Sequence, residues 1–202
     1  MALRLSLAAA FGDQEAASMA PPATLPRLYI DRVEECAKAL TRDERCTLAA
    51  RCAERSLHVW ERVRPNSKVP RELIKVLWLF LRGEVPLDDL RNSLEATRRT
   101  LENAQQDETL LELGRDGSER VLEALKAVEG AGSIPFAAEI GGEDDDVDET
   151  ESGICASSIE SALFALANSE EEIQWQAAAI SDQLMRRHGS GRQEQASTSS
   201  EP

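Results

Sequence analysis

The chain has 202 residues, of which 42% are apolar, 30% charged and only 4% aromatic, and its formal net charge is −14. That balance excludes a disordered chain and requires a core of Leu, Ala, Val and Ile, as in closely packed helices. The acid excess excludes binding to nucleic-acid phosphates, which needs clustered Lys and Arg, and suits a basic partner.

Residues 1–25 are Ala-rich, end near Pro21-Pro22 and read as a flexible leader. A first helix is expected from Pro26 to about Leu40, with Leu28, Val33, Cys36, Ala37 and Leu40 along one side. Thr41-x-x-Glu44 then forms a capping box, in which each side chain serves a backbone N–H left free at the helix start. The second helix carries Leu48, Ala49, Cys52, Ala53, Val59, Trp60 and Val63 at steps of mostly three and four, and it stops before Pro65.

Pro70 suits the first position of the third helix, where its missing N–H is harmless. Leu73, Ile74, Leu77, Trp78 and Leu81 line that helix, and Val76, Leu79 and Phe80 make it apolar nearly all round, as at the centre of a bundle. Gly83 closes it in a left-handed conformation. Pro86 opens a fourth helix with Leu87, Leu90, Leu94, Thr97, Leu101 and Ala104. A shorter pair follows, with Leu110, Leu111 and Leu113 in one, and Val121, Leu122, Leu125 and Val128 in the next after a Ser118 cap.

Glycines at 130, 132, 141, 142 and 153 flank a run with eight acids and no Lys or Arg: Glu139, Glu143, Asp144, Asp145, Asp146, Asp148, Glu149 and Glu151. Residues 130–153 are therefore expected to be a solvated acidic loop. Helix resumes at about Ala156–Asn168. Ser169-x-x-Glu172 caps the last helix, Ile173, Ala177, Ile180 and Leu184 form its buried stripe, and Gly189 ends it. A polar tail, residues 190–202, reads as disordered. The whole is an all-α chain, a compact bundle of about six or seven helices in one domain over residues 26–189.

The four cysteines, Cys36, Cys46, Cys52 and Cys155, form no CxxC or other tight framework, so free thiols in a reducing cytosol are expected. The N-terminal apolar run is too short for a secretion signal, and VLWLFL (76–81) is far below the ~20 apolar residues of a membrane span. The expected setting is cytoplasmic.

Chemistry-bearing patterns fail one by one. Cys46, Cys52 and His58 lie six apart, and six residues turn a helix by about 240°, so no metal site is expected. Asp144, Asp146 and Asp148 open like a calcium loop, but its sixth and twelfth positions fall on Glu149 and Cys155 instead of Gly and Glu. Phosphate-loop, dinucleotide, zinc-protease and nucleophile-elbow signatures are missing, so neither enzyme activity nor a cofactor is expected. Trp60 and Trp78 fall at core positions. Trp175 lies off the buried stripe of its helix. With Asp144, Asp145, Asp146, Asp148 and Glu149 it is the candidate partner-binding set.

Residues 46–91 resemble a family of small helical bacterial proteins identified as immunity proteins of polymorphic toxin systems. The likeness rests on Ala50-Arg51-Cys52-Ala53-Glu54-Arg55, Trp60-Glu61, Arg64-Pro65, Pro70-Arg71, Trp78, Arg82-Gly83-Glu84 and Arg91. Glu172, Trp175 and Gln176 in the last helix add to it. The helix after Gly83 departs from the family, reading LRNSLEATRRTL where an Ala-rich stretch belongs. The resemblance implies a stoichiometric inhibitor that covers a toxin's active site, with a protein partner and no nucleic acid, membrane or cofactor. A helical adaptor that docks a basic partner through residues 139–152 is the alternative. An enzyme built around Cys52 and His58 is a further one, and it requires a polar pocket holding both side chains.

Overall fold

The computed structural model describes residues 25–140, 146–167 and 170–197, and among these the regular structure is helical throughout, with no strand. The elements are α1 (Leu25–Lys38), α2 (Arg42–Val63), α3 (Val69–Leu81), α4 (Leu87–Gln105) and α5 (Glu108–Leu111). They continue with α6 (Arg115–Ser133), a 3₁₀ turn (Ile134–Phe136), α7 (Ala137–Ile140), α8 (Val147–Ala165) and α9 (Glu170–Ser197).

α2, α6 and α8 pack on one another at the centre. Their contact faces are built from small side chains: Ala49, Ala50, Cys52 and Ala53 on α2, Ala124, Ala127 and Ala131 on α6, and Cys155 and Ala162 on α8 are sealed from solvent. Small residues let helix axes approach closely, which is how a chain with few aromatics fills its interior. α1 lies across α8, α3 and α4 form a hairpin against α2 and α6, and α9 packs against α2. No helix among the described residues is long and apolar enough to cross a membrane.

Local signals behave as the sequence predicts. Thr41 Oγ1 accepts from the Glu44 N–H while Glu44 Oε2 accepts from the Thr41 N–H, completing the capping box. Pro70 sits in the first turn of α3, and Gly83 closes the α3 end at φ +71°. Trp60 is buried and Trp78 packs against the core.

The loop expected at 130–153 is largely helix. α6 runs through Gly130 and Gly132, Ser133, Ile134 and Phe136 are buried, and α8 starts at Val147 instead of Ala156. The two glycines serve close packing here. A Cβ on Gly132 would sit 2.9 Å from Leu73 Cδ2, and one on Gly130 would sit 3.1 Å from Ser158 Cβ. They let α3 and α8 press against α6, a contact that local composition does not reveal.

Other boundaries shift as well. α6 begins at Arg115 after Gly114 at φ +74°, so Ser118 lies inside the helix, donating to the Arg115 carbonyl. α9 passes Gly189 and continues to Ser197, into the segment expected to be a disordered tail. The leader up to residue 24, residues 141–145, Asn168, Ser169 and residues 198–202 lie outside the described residues, and Leu25 already belongs to α1.

Candidate partner-binding surface

The acidic segment is tied to the fold at several points. Asp146 caps α8, its Oδ1 accepting from the Asp148 N–H at 2.9 Å. Asp148 is exposed, yet its Oδ1 accepts from Arg45 Nη1 at 2.9 Å. Glu151 is buried, with Oε2 accepting from Arg45 Nη1 at 2.8 Å and Oε1 from Arg42 Nε. The same Arg45 donates through Nε to the Ala37 carbonyl and through Nη2 to the Lys38 carbonyl. One guanidinium thus joins the end of α1, the start of α2 and the start of α8. Glu149 is exposed to solvent, and Asp144 and Asp145 lie outside the described residues.

Glu139, at the other end of the run, receives both arms of Arg91 at 2.6 and 2.8 Å, and that guanidinium stacks 4.6 Å from the centre of the Phe136 ring. An acid and an aromatic three positions apart on one helical turn therefore grip a single arginine.

The same arrangement recurs at Trp175. Its ring is partly buried against the core and covered by the Arg55 guanidinium at 4.4 Å. Arg55 Nε donates to Glu172 Oε2 at 2.8 Å, three residues before Trp175. Glu172 is only 1% exposed, and its Oε1 accepts from Gln176 Nε2, whose amide oxygen accepts from Tyr29 Oη. Burial pushes the Glu172 carboxyl above the usual glutamate range, while Arg55 and Gln176 pull it back. Glu172 is thus the centre of a buried polar network, and the cap expected from Ser169 lies outside the described residues.

The groups an enzyme would use are placed apart. Cys52 is fully buried, and desolvation pushes its thiol well above the usual value, so the nucleophilic thiolate is suppressed. His58 is exposed, with Nδ1 2.7 Å from the Arg55 carbonyl, and the hollow it lines with Arg55, Leu166, Glu171 and Glu172 does not include Cys52.

A concave strip follows the seam between α6 and α8. It consists of two adjoining hollows of about 850 and 510 Å³ that share Lys126, Ser157 and Ser161. The larger is rimmed by Asp116, Glu119, Glu123 and Glu160 and holds Phe164, which is 45% exposed. Its two cations are engaged: Arg120 Nε donates to the Ala165 carbonyl at 2.9 Å, and Lys126 Nζ to Glu123 at 2.7 Å. Sequence reading missed this surface. Glu160 and Phe164 are one turn apart on α8, but which face α8 buries follows only from its neighbours.

Several residues that carry the family likeness prove to be partners in ion pairs. Arg55 holds Glu172, Arg71 grips Glu61 through Nε and Nη2 across the α2–α3 turn, and Arg82 meets Glu84 at the α3 end. The motif therefore encodes the fold's polar fastenings. No curated protein and no solved structure matches the chain. The family described as "Immunity protein Imm5" matches residues 23–182, from before α1 into α9. With that family spanning most of its length and its helices, this chain belongs to the immunity protein family Imm5.

Proposed function

We propose that this protein binds a bacterial toxin one to one and neutralises it by occupying the toxin's working surface, without turnover and without a cofactor. The observation that carries the reading is the family match over residues 23–182. The physical chemistry is in keeping with it. The net charge of −14 favours rapid encounter with a basic partner. The α6–α8 strip offers a concave acidic surface with an exposed aromatic, as protein-binding faces commonly do. A packed helical bundle also suits an inhibitor, because a surface formed before binding loses little ordering entropy.

The test is co-expression with the product of the adjoining reading frame, followed by calorimetry on the purified pair. Restored growth and tight one-to-one binding are expected. Absence of both would sink the reading. A companion variant with Asp144, Asp145, Asp146 and Glu149 changed to Asn or Gln separates the adaptor alternative: under the immunity reading binding survives, whereas an adaptor docking through its acidic segment loses it.

A further inference from the structure

Twice this molecule holds an arginine in one manner: a carboxylate on the guanidinium nitrogens and an aromatic ring against its face. Arg55 lies on Glu172 and Trp175, and Arg91 on Glu139 and Phe136. A third acid–aromatic pair, Glu160 and Phe164, stands one helical turn apart on α8, where side chains four positions apart are neighbours. Both line the larger hollow, and among the described residues no cation pairs with Glu160 and no guanidinium stacks on Phe164. The nearby charges act against the carboxylate, since burial, Glu123 and Asp31 each raise its proton affinity.

We propose that Glu160 and Phe164 form a receptor for an arginine side chain of the neutralised toxin, seated in the hollow between α6 and α8. The assignment rests on the immunity reading above. Arginine is the side chain that satisfies both halves, because its planar guanidinium stacks on a ring while its edge donates to a carboxylate. Asp116 and Glu119 on the rim extend the negative surface, and the small side chains Ser157 and Ser161 leave room for the arginine stem. Asp116, like Glu160, has no ion pair among the described residues, so a basic segment enters without displacing an existing partner at either carboxylate. The smaller hollow continues the surface to Ile140, which is 49% exposed, and gives the rest of the segment an apolar footing.

The experiment measures binding of full-length Glu160→Gln, Phe164→Ala and the double variant to the toxin, tested first as the product of the adjoining reading frame, with melting and sedimentation of each chain alone. Each single variant is expected to weaken binding by about 10- to 30-fold, the size of an interface hot spot. The double variant should lose less than the product of the two, because both groups hold one side chain. Phe164→Tyr should keep most of the affinity. Glu160→Gln alone should melt no lower than the wild type, since it removes an unpaired carboxylate.

Wild-type affinity in both single variants would overturn the receptor while leaving the immunity reading in place. A marked loss of stability in free Glu160→Gln would show an arginine of this same chain on the pair and overturn the toxin as occupant. A wild-type dimer dissociated by Glu160→Gln would do so in favour of a second copy. Failure of the wild-type chain to bind the toxin appears before any variant is made, and it removes the immunity reading and this assignment together.

Discussion

The carboxyl of Glu172 combines near-complete burial with an ion pair, and the balance between the two is measurable. Burial is the larger influence, so its folded pKa lies above the usual value of 4.5. The folded chain then holds the proton more tightly than the unfolded chain, and the stability that Glu172 contributes at low pH is lost as pH rises from about 4.5 through the folded value. Glu172→Gln removes this titration. The expected result is that the stability of wild type relative to Glu172→Gln falls as pH is raised from 4 to 7, measured by urea denaturation at several pH values. Parallel stability curves would show that Arg55 offsets the burial cost. The sequence pattern Ser169-x-x-Glu172 gave no access to this behaviour. It has the form of a capping box, and the ion-pair partner of Glu172, Arg55, lies 117 positions away. Trp175 stood out from its helix stripe by spacing alone, but the guanidinium over it comes from that same distant residue.

Helices whose limits are set by neighbouring residues were legible, and those shaped by packing were not. The Thr41–Glu44 box, Pro70 and Gly83 act within a few residues of themselves, so α2 and α3 follow from sequence. Gly130 and Gly132 act through contacts with Ser158 and Leu73 on other helices, and in a one-dimensional reading they look like loop glycines. This distinction predicts the effect of filling the space. Gly132→Val is expected to destabilise the protein by about 1–3 kcal/mol, because the added methyl groups overpack a site where Leu73 is fully buried. Gly153, also inside a helix, has nothing within 4 Å of an added Cβ, so Gly153→Ala should be neutral or stabilising by up to about 1 kcal/mol. Chemical denaturation of the pair checks both signs, and equal effects would remove the packing explanation for the glycines of α6.

On the scale of the whole molecule, the Arg45 cluster joins parts of the chain that composition would keep separate. Residues 146–151 looked like solvated acid, yet Glu151 is buried against an equally buried Arg45, and Asp148 shares that guanidinium. Removing one partner of such a pair leaves a charge in a low-dielectric interior, so Glu151→Ala is expected to cost about 3–5 kcal/mol. Replacing both partners, as Arg45→Met with Glu151→Leu, should cost clearly less than the sum of the single changes. Additive losses in denaturation experiments would show that the two side chains contribute independently. The pair also has a consequence for synthesis. Arg45 leaves the ribosome 106 residues before Glu151, a wait of about 5–20 s at typical elongation rates, and α2 meets α8 only after that interval. A nascent chain interrupted before Val147 carries the Arg45 guanidinium without either of its carboxylates and α2 without one of the two helices that cover it. The sealed α2–α6–α8 centre is then a property of chains extended through α8 alone.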